Sequence, residues 1–368
     1  MKIAVSADCF AAYTSGFPVR GMTLELIRQN PFVHFQLYYT KRERPRVLEK
    51  FYSEINTLPN VEVRYFKYSR KVIAIKRLLG FKYVEFDSDT DLFINPGNPE
   101  YICGYKGPTI CSLADLSTIK GISTHKYALF YKYWTRIRWK KILPNITTIV
   151  TISDFTRKDL IAFFPEISGQ TITIHNGING HWFQDTKKNN AAKTFGVNSP
   201  YFIWWGLISR RKNIERLVLA YKKAKQRKAD LPKLLLVGKI ADHMEFLRNE
   251  FTTDIINIPF QDDDTLRSLV RDSEGLIFPS LYEGFGLPVL EAFSQGVEVA
   301  CSNVTSLPEV SGGKALLFNP ESVESISDAI LELTKKRHYK DELIKYAKNY
   351  TYANAAFRYM EIINSIVK

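Results

Sequence analysis

Gly275-Leu276-Ile277-Phe278-Pro279-Ser280-Leu281-Tyr282-Glu283-Gly284-Phe285-Gly286-Leu287-Pro288-Val289-Leu290-Glu291 is the stretch on which the fold turns. It begins with a short apolar run, which predicts a strand buried on both faces of a parallel sheet. Gly284 and Gly286 lack a Cβ, so the backbone can turn tightly there and approach a ligand closely. Pro288 suits the first turn of a helix that runs through Glu291 to about Ser294. In an open α/β sheet, ligands bind where strands give way to such turns, and the main-chain N–H groups of a helix start favour anions. Glu283 falls in the loop and Glu291 about one turn into the helix. Taken alone, two such carboxylates read first as a solvated loop residue and a helix-face charge, and only second as a binding pair.

On both sides of this stretch, apolar strands alternate with amphipathic helices. Strands are predicted at 2–6, 33–39, 61–66, 91–95, 108–112, 147–152 and 171–174, then at 201–205, 233–237, 255–258, 275–278 and 298–302. Helices are predicted between them, among them 23–29, 46–55, 154–163, 214–225, 242–250, 262–272, 323–334 and 340–349, with a last one over 352–367. Such alternation predicts parallel sheets with helices on both faces. The pattern stops between Gly177 and Ser199, where Gly180, Asp185-Thr186, Lys187-Lys188 and Asn189-Asn190 mark an exposed connection. The predicted organisation is a first domain over 1–180, a connection over 181–199, a second domain over 200–350 and a terminal helix over 351–368.

Gly206-Leu207-Ile208-Ser209-Arg210-Arg211-Lys212-Asn213 follows the first strand of the second domain and opens a helix. Cations there can sit over a diphosphate held by helix-terminal amides; an R-R-K run is also, on its own, a solvated basic loop. Together with P-S-x-Y-E-G-F-G-L-P-x-L-E-A, this G-x-x-x-x-R-K-N element closely resembles the signature of retaining glycosyltransferases of family 4, which have the GT-B fold. The resemblance covers nearly the whole chain and is stronger in the second domain. It implies two Rossmann-like α/β domains facing across a cleft, with the C-terminal helix crossing back to the first. It also implies transfer of a hexose, with a lean to GDP-mannose as donor, onto a glycan acceptor such as a lipid-linked surface polysaccharide precursor. In that reading Gly206, Arg211 and Lys212 hold the donor phosphates. Glu283, Gly284, Phe285, Gly286 and Leu287 face the sugar and phosphates, and Glu291 holds the ribose.

Two departures from the family pattern stand out. Leu207 takes the place of an arginine, leaving Arg210 as a possible substitute. In Pro108–Ser117, Ala114 replaces the histidine that relatives carry before Asp115, and an alanine neither donates a hydrogen bond nor moves a proton. Asp115 is retained and is counted with Glu283, Arg211 and Lys212 as a catalytic candidate. Gly16 and Arg20, in a thinned glycine loop after the first strand, are the acceptor-side candidates. His125 is read as structural or solvated, Asn176-Gly177 as a tight turn beside His175, and Ser153 as a helix cap.

No metal or cofactor is expected. The D-x-D triplets of Phe86-Asp87-Ser88-Asp89-Thr90-Asp91 carry the right oxygen ligands for a divalent ion, but the surrounding motifs imply GT-B chemistry, so a loop is expected. Asp262-Asp263-Asp264 is read as the acidic start of a helix.

The 368 residues suffice for two domains, and 45% hydrophobic with 24% charged residues suits a soluble globular chain. No apolar run reaches the roughly 18–20 residues a membrane span needs. With a strand at the N-terminus and four unpatterned cysteines, the expectation is a reduced, cytoplasmic protein, peripheral at most to the inner membrane face. The net charge of +13 divides into +9 through residue 185 and +4 beyond it, which suits anionic partners. Within the first part, 126–141 pattern as a basic, aromatic helix. Such a helix lies in an anionic membrane interface, or packs half-buried with its cations reaching outward. A non-catalytic nucleotide- or glycan-binding relative and a sugar-nucleotide epimerase of the same fold stay open at this point. Nucleic-acid binding has charge in its favour but no module motif.

Overall fold

A computed structural model of the chain describes residues 1–7, 10, 16–39, 49–65, 72, 89–97, 99, 105–122, 128–184, 191–198, 200–335 and 339–367. The chain divides into two compact units: Met1–Asn179 with Thr351–Lys368, and Gly180–Tyr350.

The first unit holds β1 (Lys2–Ser6), α1 (Gly16–Gln29), β2 (His34–Tyr39), α2 (Glu49–Ile55), β3 (Val61–Tyr65), β4 (Leu92–Asn95) and β5 (Thr109–Leu113). It continues with α3 (Ser117–Lys120), α4 (Ala128–Ile142), β6 (Thr148–Thr151), α5 (Asp154–Phe163) and β7 (Thr171–Thr173). The strands form one sheet in the order β3-β2-β1-β4-β5-β6-β7, and all six pairings are parallel. Parallel strands need helical crossovers that cover both faces of the sheet, and β4 and β5 are buried throughout.

The C-terminal helix, Tyr352–Ile366, belongs to this unit. Ala355, Ala356, Tyr359 and Ile363 enter the same apolar cluster as Ile3, Val5, Leu26 and Ile27. Each large side chain so buried stabilises the unit by about 1.5–3 kcal/mol over an exposed one. Close approach is built in: a Cβ on Gly21 of α1 would stand 2.1 Å from the Tyr352 ring. Gly177 is likewise wedged, since a Cβ there would lie 2.1 Å from the Thr351 main chain. The Asn176-Gly177 pair therefore serves contact with the start of the C-terminal helix, beside the Ile178–Thr351 bridge, and Gly177 does not take a positive φ.

The second unit holds β8 (Tyr201–Trp205), α6 (Ile214–Arg227), β9 (Lys233–Val237), β10 (Ile255–Ile258), α7 (Asp263–Arg271), β11 (Gly275–Phe278) and α8 (Leu287–Ser294). It closes with β12 (Val299–Ser302), α9 (Leu307–Ser311), β13 (Leu316–Phe318), α10 (Val323–Leu333) and α11 (Lys340–Ala347). Its sheet runs β10-β9-β8-β11-β12-β13, again wholly parallel. Order reverses between β8 and β11, so the loops after these two strands flank the topological switch point.

Several local readings change. Residues 242–250 form a 3-10 helix, not an α-helix; its buried residues, Met244 and Leu247, repeat at three, the period of that tighter helix. β13 adds a sixth strand at the sheet edge. α1 begins seven residues before the expected 23, at Gly16. Ser153 and Asp262 cap their helices by accepting from Thr156 N and Thr265 N. The connection over 181–199 is partly structured: Gly180–Phe183 and Ala191–Phe195 are 3-10 turns, and Arg267 donates to the carbonyls of His181 and Gln184.

Candidate functional site: a cation and carboxylate cluster at the switch point

β8 ends at Trp205 and β11 at Phe278, so the two motif loops emerge side by side. A main-chain bond joins them, Leu281 N to Arg211 O at 2.9 Å. Asn213 adds a second tie. It sits in the left-handed region at φ 60, which asparagine tolerates better than most residues. Its Nδ2 donates to Pro279 O at 3.0 Å and to Pro320 O at 2.8 Å.

This bracing brings the cations onto the first glutamate. Arg211 Nη1 donates to Tyr282 O at 2.6 Å and to Glu283 Oε2 at 3.0 Å. Lys212 Nζ donates to Glu283 Oε1 at 2.5 Å and lies 5.0 Å from the Phe278 ring centroid. Glu283 is buried. Burial pushes its carboxyl up, but the Lys212 and Arg211 charges overcome that and hold it down at about 2. Two cations against one carboxylate leave positive charge in excess, as an anion site requires.

The loop after β12 shapes the glycine turn from behind. Thr305, itself at φ 59, accepts from Glu283 N at 3.2 Å. Ser306 Oγ donates to Glu283 O at 3.0 Å and Phe285 O at 2.6 Å. Of the two motif glycines, Gly286 has the left-handed backbone, with φ 117, while Gly284 does not. A Cβ on Gly286 would stand 2.6 Å from Leu307 Cδ2, so glycine is required there. Leu287 and Pro288 then open α8. Gly206, at φ 137, makes the corresponding turn after β8.

Glu291 sits one turn into α8 and accepts from Trp205 Nε1 through Oε2 at 3.1 Å. Its Oε1 takes no bond among the described residues. Desolvation, with Asp263 adding to it, pushes this carboxyl up to about 7 against the opposing effects of Trp205 and Lys212. The two motif glutamates are thus tuned in opposite directions.

Gly206, Arg211, Lys212, Glu283, Gly284, Phe285, Gly286, Leu287 and Glu291 all gather at this one edge. Leu207 is exposed, and Arg210 lies on the same 3-10 turn as Arg211 and Lys212. The remaining candidates belong to the first unit. Asp115 Oδ1 accepts from Ser117 N at 2.8 Å and Ser117 Oγ at 2.6 Å, an Asx-turn into α3. Gly16 opens α1. Arg20 is only 5% exposed and donates to Phe10 O at 2.6 Å, which gives it a structural task in the loop after β1. Asp91 accepts from Lys2 N and Asp89 pairs with Lys2 Nζ, both at 2.7 Å. Asp87, Ser88 and His125 lie outside the described residues. Asn213, Thr305, Ser306 and Trp205 went unassigned in the sequence; Asn213 alone carried a signal, as a polar residue closing the basic motif.

Residues 185–350 match the sequence model of the family described as Glycosyl transferases group 1. The chain is 33% identical over 202 residues to O-antigen chain mannosyltransferase B of Escherichia coli, covering 52% of each chain, so it spans about half the length of that relative. It is 24% identical over 324 residues to the O-antigen chain mannosyltransferase RfbU of Salmonella typhimurium, covering 83% of this chain and 84% of the relative. Among solved structures, a glycosyltransferase from Rickettsia africae superposes with a TM-score of 0.73 at 14% identity, covering 100% of this chain and 98% of that one. The Anabaena protein HepE, solved in complex with UDP and glucose, superposes with a TM-score of 0.70 at 13% identity, covering 99% and 100%. By these superpositions the chain has the GT-B fold, and residues 185–350 of its second unit resemble the group 1 glycosyl transferases.

Proposed function

We propose that this chain is a retaining mannosyltransferase that takes mannose from GDP-mannose and adds it to a glycan acceptor. The observation that carries the reading is the Arg211–Glu283–Lys212 cluster beside the start of α8, with Glu291 one turn on. The leaving group of a nucleotide-sugar is a diphosphate whose negative charge grows as the sugar–oxygen bond breaks. Preorganised cations and helix-start amides stabilise that growth without reorganising. Arg211 and Lys212 take this role, and Glu283 holds them in place while offering a carboxylate to the sugar hydroxyls. Glu291 offers Oε1 to a ribose hydroxyl. Neither Glu283 nor Glu291 is placed here as a covalent nucleophile; retention follows from leaving phosphate and incoming hydroxyl sharing one face of the sugar, with orientation supplying the rate. Mannose is favoured by the names of the relatives.

The acceptor in this reading is a lipid-linked surface-glycan precursor. Support comes from α4, which exposes Tyr133 (63%), Trp134 (38%) and Ile137 (58%) among Arg136, Lys140 and Lys141. Aromatic and aliphatic side chains between cations suit an anionic lipid interface. Among the described residues no helix is long and apolar enough to cross a membrane, so attachment would be peripheral.

A thermal-shift panel of GDP, UDP, dTDP and ADP tests the donor, because a ligand that binds only the folded state raises the melting temperature. GDP should give the largest shift, and GDP-mannose with a mannosylated acceptor should give an α-linked product. No shift from any nucleotide, or an inverted product, would end the proposal.

A further inference from the structure

We infer that Trp205 is a positioning residue for Glu291: its indole N–H fixes which carboxylate oxygen faces the nucleotide. The inference rests on the reading of Glu291 as the ribose ligand. Trp205 is the last residue of β8, directly ahead of the Gly206 turn, and is nearly buried at 6% exposure. Its Nε1 lies 3.1 Å from Glu291 Oε2 and is the one side-chain donor to this carboxylate among the described residues. With Oε2 so engaged, Oε1 is left for a ligand. An indole is a donor only, so the contact favours the charged carboxylate over the acid.

The ring that carries the donor is itself clamped. Trp182 stacks on it at a centroid distance of 6.5 Å and an interplanar angle of 21°. Gln295, the residue that ends α8, donates to the Trp182 carbonyl. Strand β8, helix α8 and the 3-10 turn Gly180–Phe183 thus close a ring of contacts around one hydrogen bond. The other charges acting on Glu291 come from different elements: Asp263 at the start of α7 opposes its ionisation and Lys212 favours it. Of the groups that favour the charged form, Trp205 alone bonds it.

The test compares GDP with 2′,3′-dideoxy-GDP, which carries the same phosphates and base without the ribose hydroxyls. The ratio of their affinities isolates the ribose contact and cancels the ionisation of the phosphates themselves. It is measured from pH 5.5 to 9 for wild type, Trp205→Phe, Trp182→Phe and Glu291→Gln. In wild type the preference for GDP should fall as pH drops through about 7, where Glu291 takes up a proton. Trp205→Phe keeps an aromatic ring but removes the donor. At pH 7 it should lose roughly tenfold of that preference, with its midpoint moved up by about one pH unit. Trp182→Phe should lower the melting temperature and leave the midpoint where it is. A Trp205→Phe profile that overlays wild type, while Glu291→Gln abolishes the preference, would overturn the role of Trp205 alone. A Glu291→Gln protein that keeps the full preference would overturn the ribose assignment itself.

Discussion

The Lys212 ammonium stands 2.5 Å from Glu283 Oε1, in a place where a diphosphate is expected to bind. With Arg211 on the other carboxylate oxygen, both cations rest on a buried internal anion. The pairing avoids the cost of burying unpaired charge.

Glu283→Gln removes the anion and keeps the shape. Its ionised form gains stability from the lowered pKa, so the contribution is complete above the unfolded value of 4.5 and is lost as pH falls toward about 2. At pH 7 the variant should be less stable by about 3 kcal/mol. In urea unfolding followed by circular dichroism, the gap between variant and wild type should narrow below pH 4.5.

Glu291→Gln should do the reverse. A carboxyl raised to about 7 costs the folded state stability between pH 4.5 and 7, and by a constant amount above that. The variant should therefore melt higher than wild type at pH 8, by up to about 3 kcal/mol of stability, and equal it near pH 4.5. The same variant should bind GDP more weakly, so a gain in melting temperature accompanied by full GDP affinity would contradict the proposed site.

Gly286→Ala places a side chain where φ is 117 and Leu307 Cδ2 would be 2.6 Å away. Strain of this kind costs about 1–3 kcal/mol. The variant should fold with a lowered melting temperature and show reduced transfer activity, because the start of α8 must shift.

Chelation should leave turnover intact. In the proposed site Arg211 and Lys212 take the place of a divalent ion, and Asp89 and Asp91 are engaged by Lys2. EDTA inhibition reversed by manganese in a transfer assay would show that an ion is required after all.

On anionic liposomes, Lys140→Gln with Lys141→Gln should lose about 2 kcal/mol of binding, or roughly 30-fold. Tyr133→Ser with Ile137→Ser should also weaken co-sedimentation, and that loss should persist in 1 M salt, where about 3 Å screening lengths have already removed the charge term. Activity on a short water-soluble acceptor should be unchanged in both pairs.

The strands flanking the site were legible because each is a short apolar run between breakers. β8 and β11 have the predicted bounds, Tyr201–Trp205 and Gly275–Phe278. Leu316–Phe318 was not legible: three residues, with Leu317 45% exposed, carry no period to read. The start of α1 was hidden by Gly16, Pro18 and Gly21, residues that ordinarily argue against a helix. The motifs named these cations and glutamates as candidates but not their pairing. Lys212 and Glu283 are 71 residues apart, and which charge meets which is decided by the β8–β11 adjacency. The opposite tuning of Glu283 and Glu291 was likewise invisible, since it depends on two cations at one carboxyl and an indole at the other.

The first unit is made of two pieces of chain separated by the whole of the second, and this fixes an order of events during synthesis. Every strand and helix of Gly180–Tyr350 lies in one continuous stretch of chain, so that unit can close its core without the residues that follow. The first unit emerges earlier yet must wait for Ala355, Ala356, Tyr359 and Ile363 to cover α1 and β1. Until then it carries an open apolar surface, the kind of exposure that draws chaperones and aggregation. Released chains truncated after residue 350 should accordingly be protease-resistant across the second unit and sensitive across the first. The last eighteen residues act as a latch on the part of the protein that was made first.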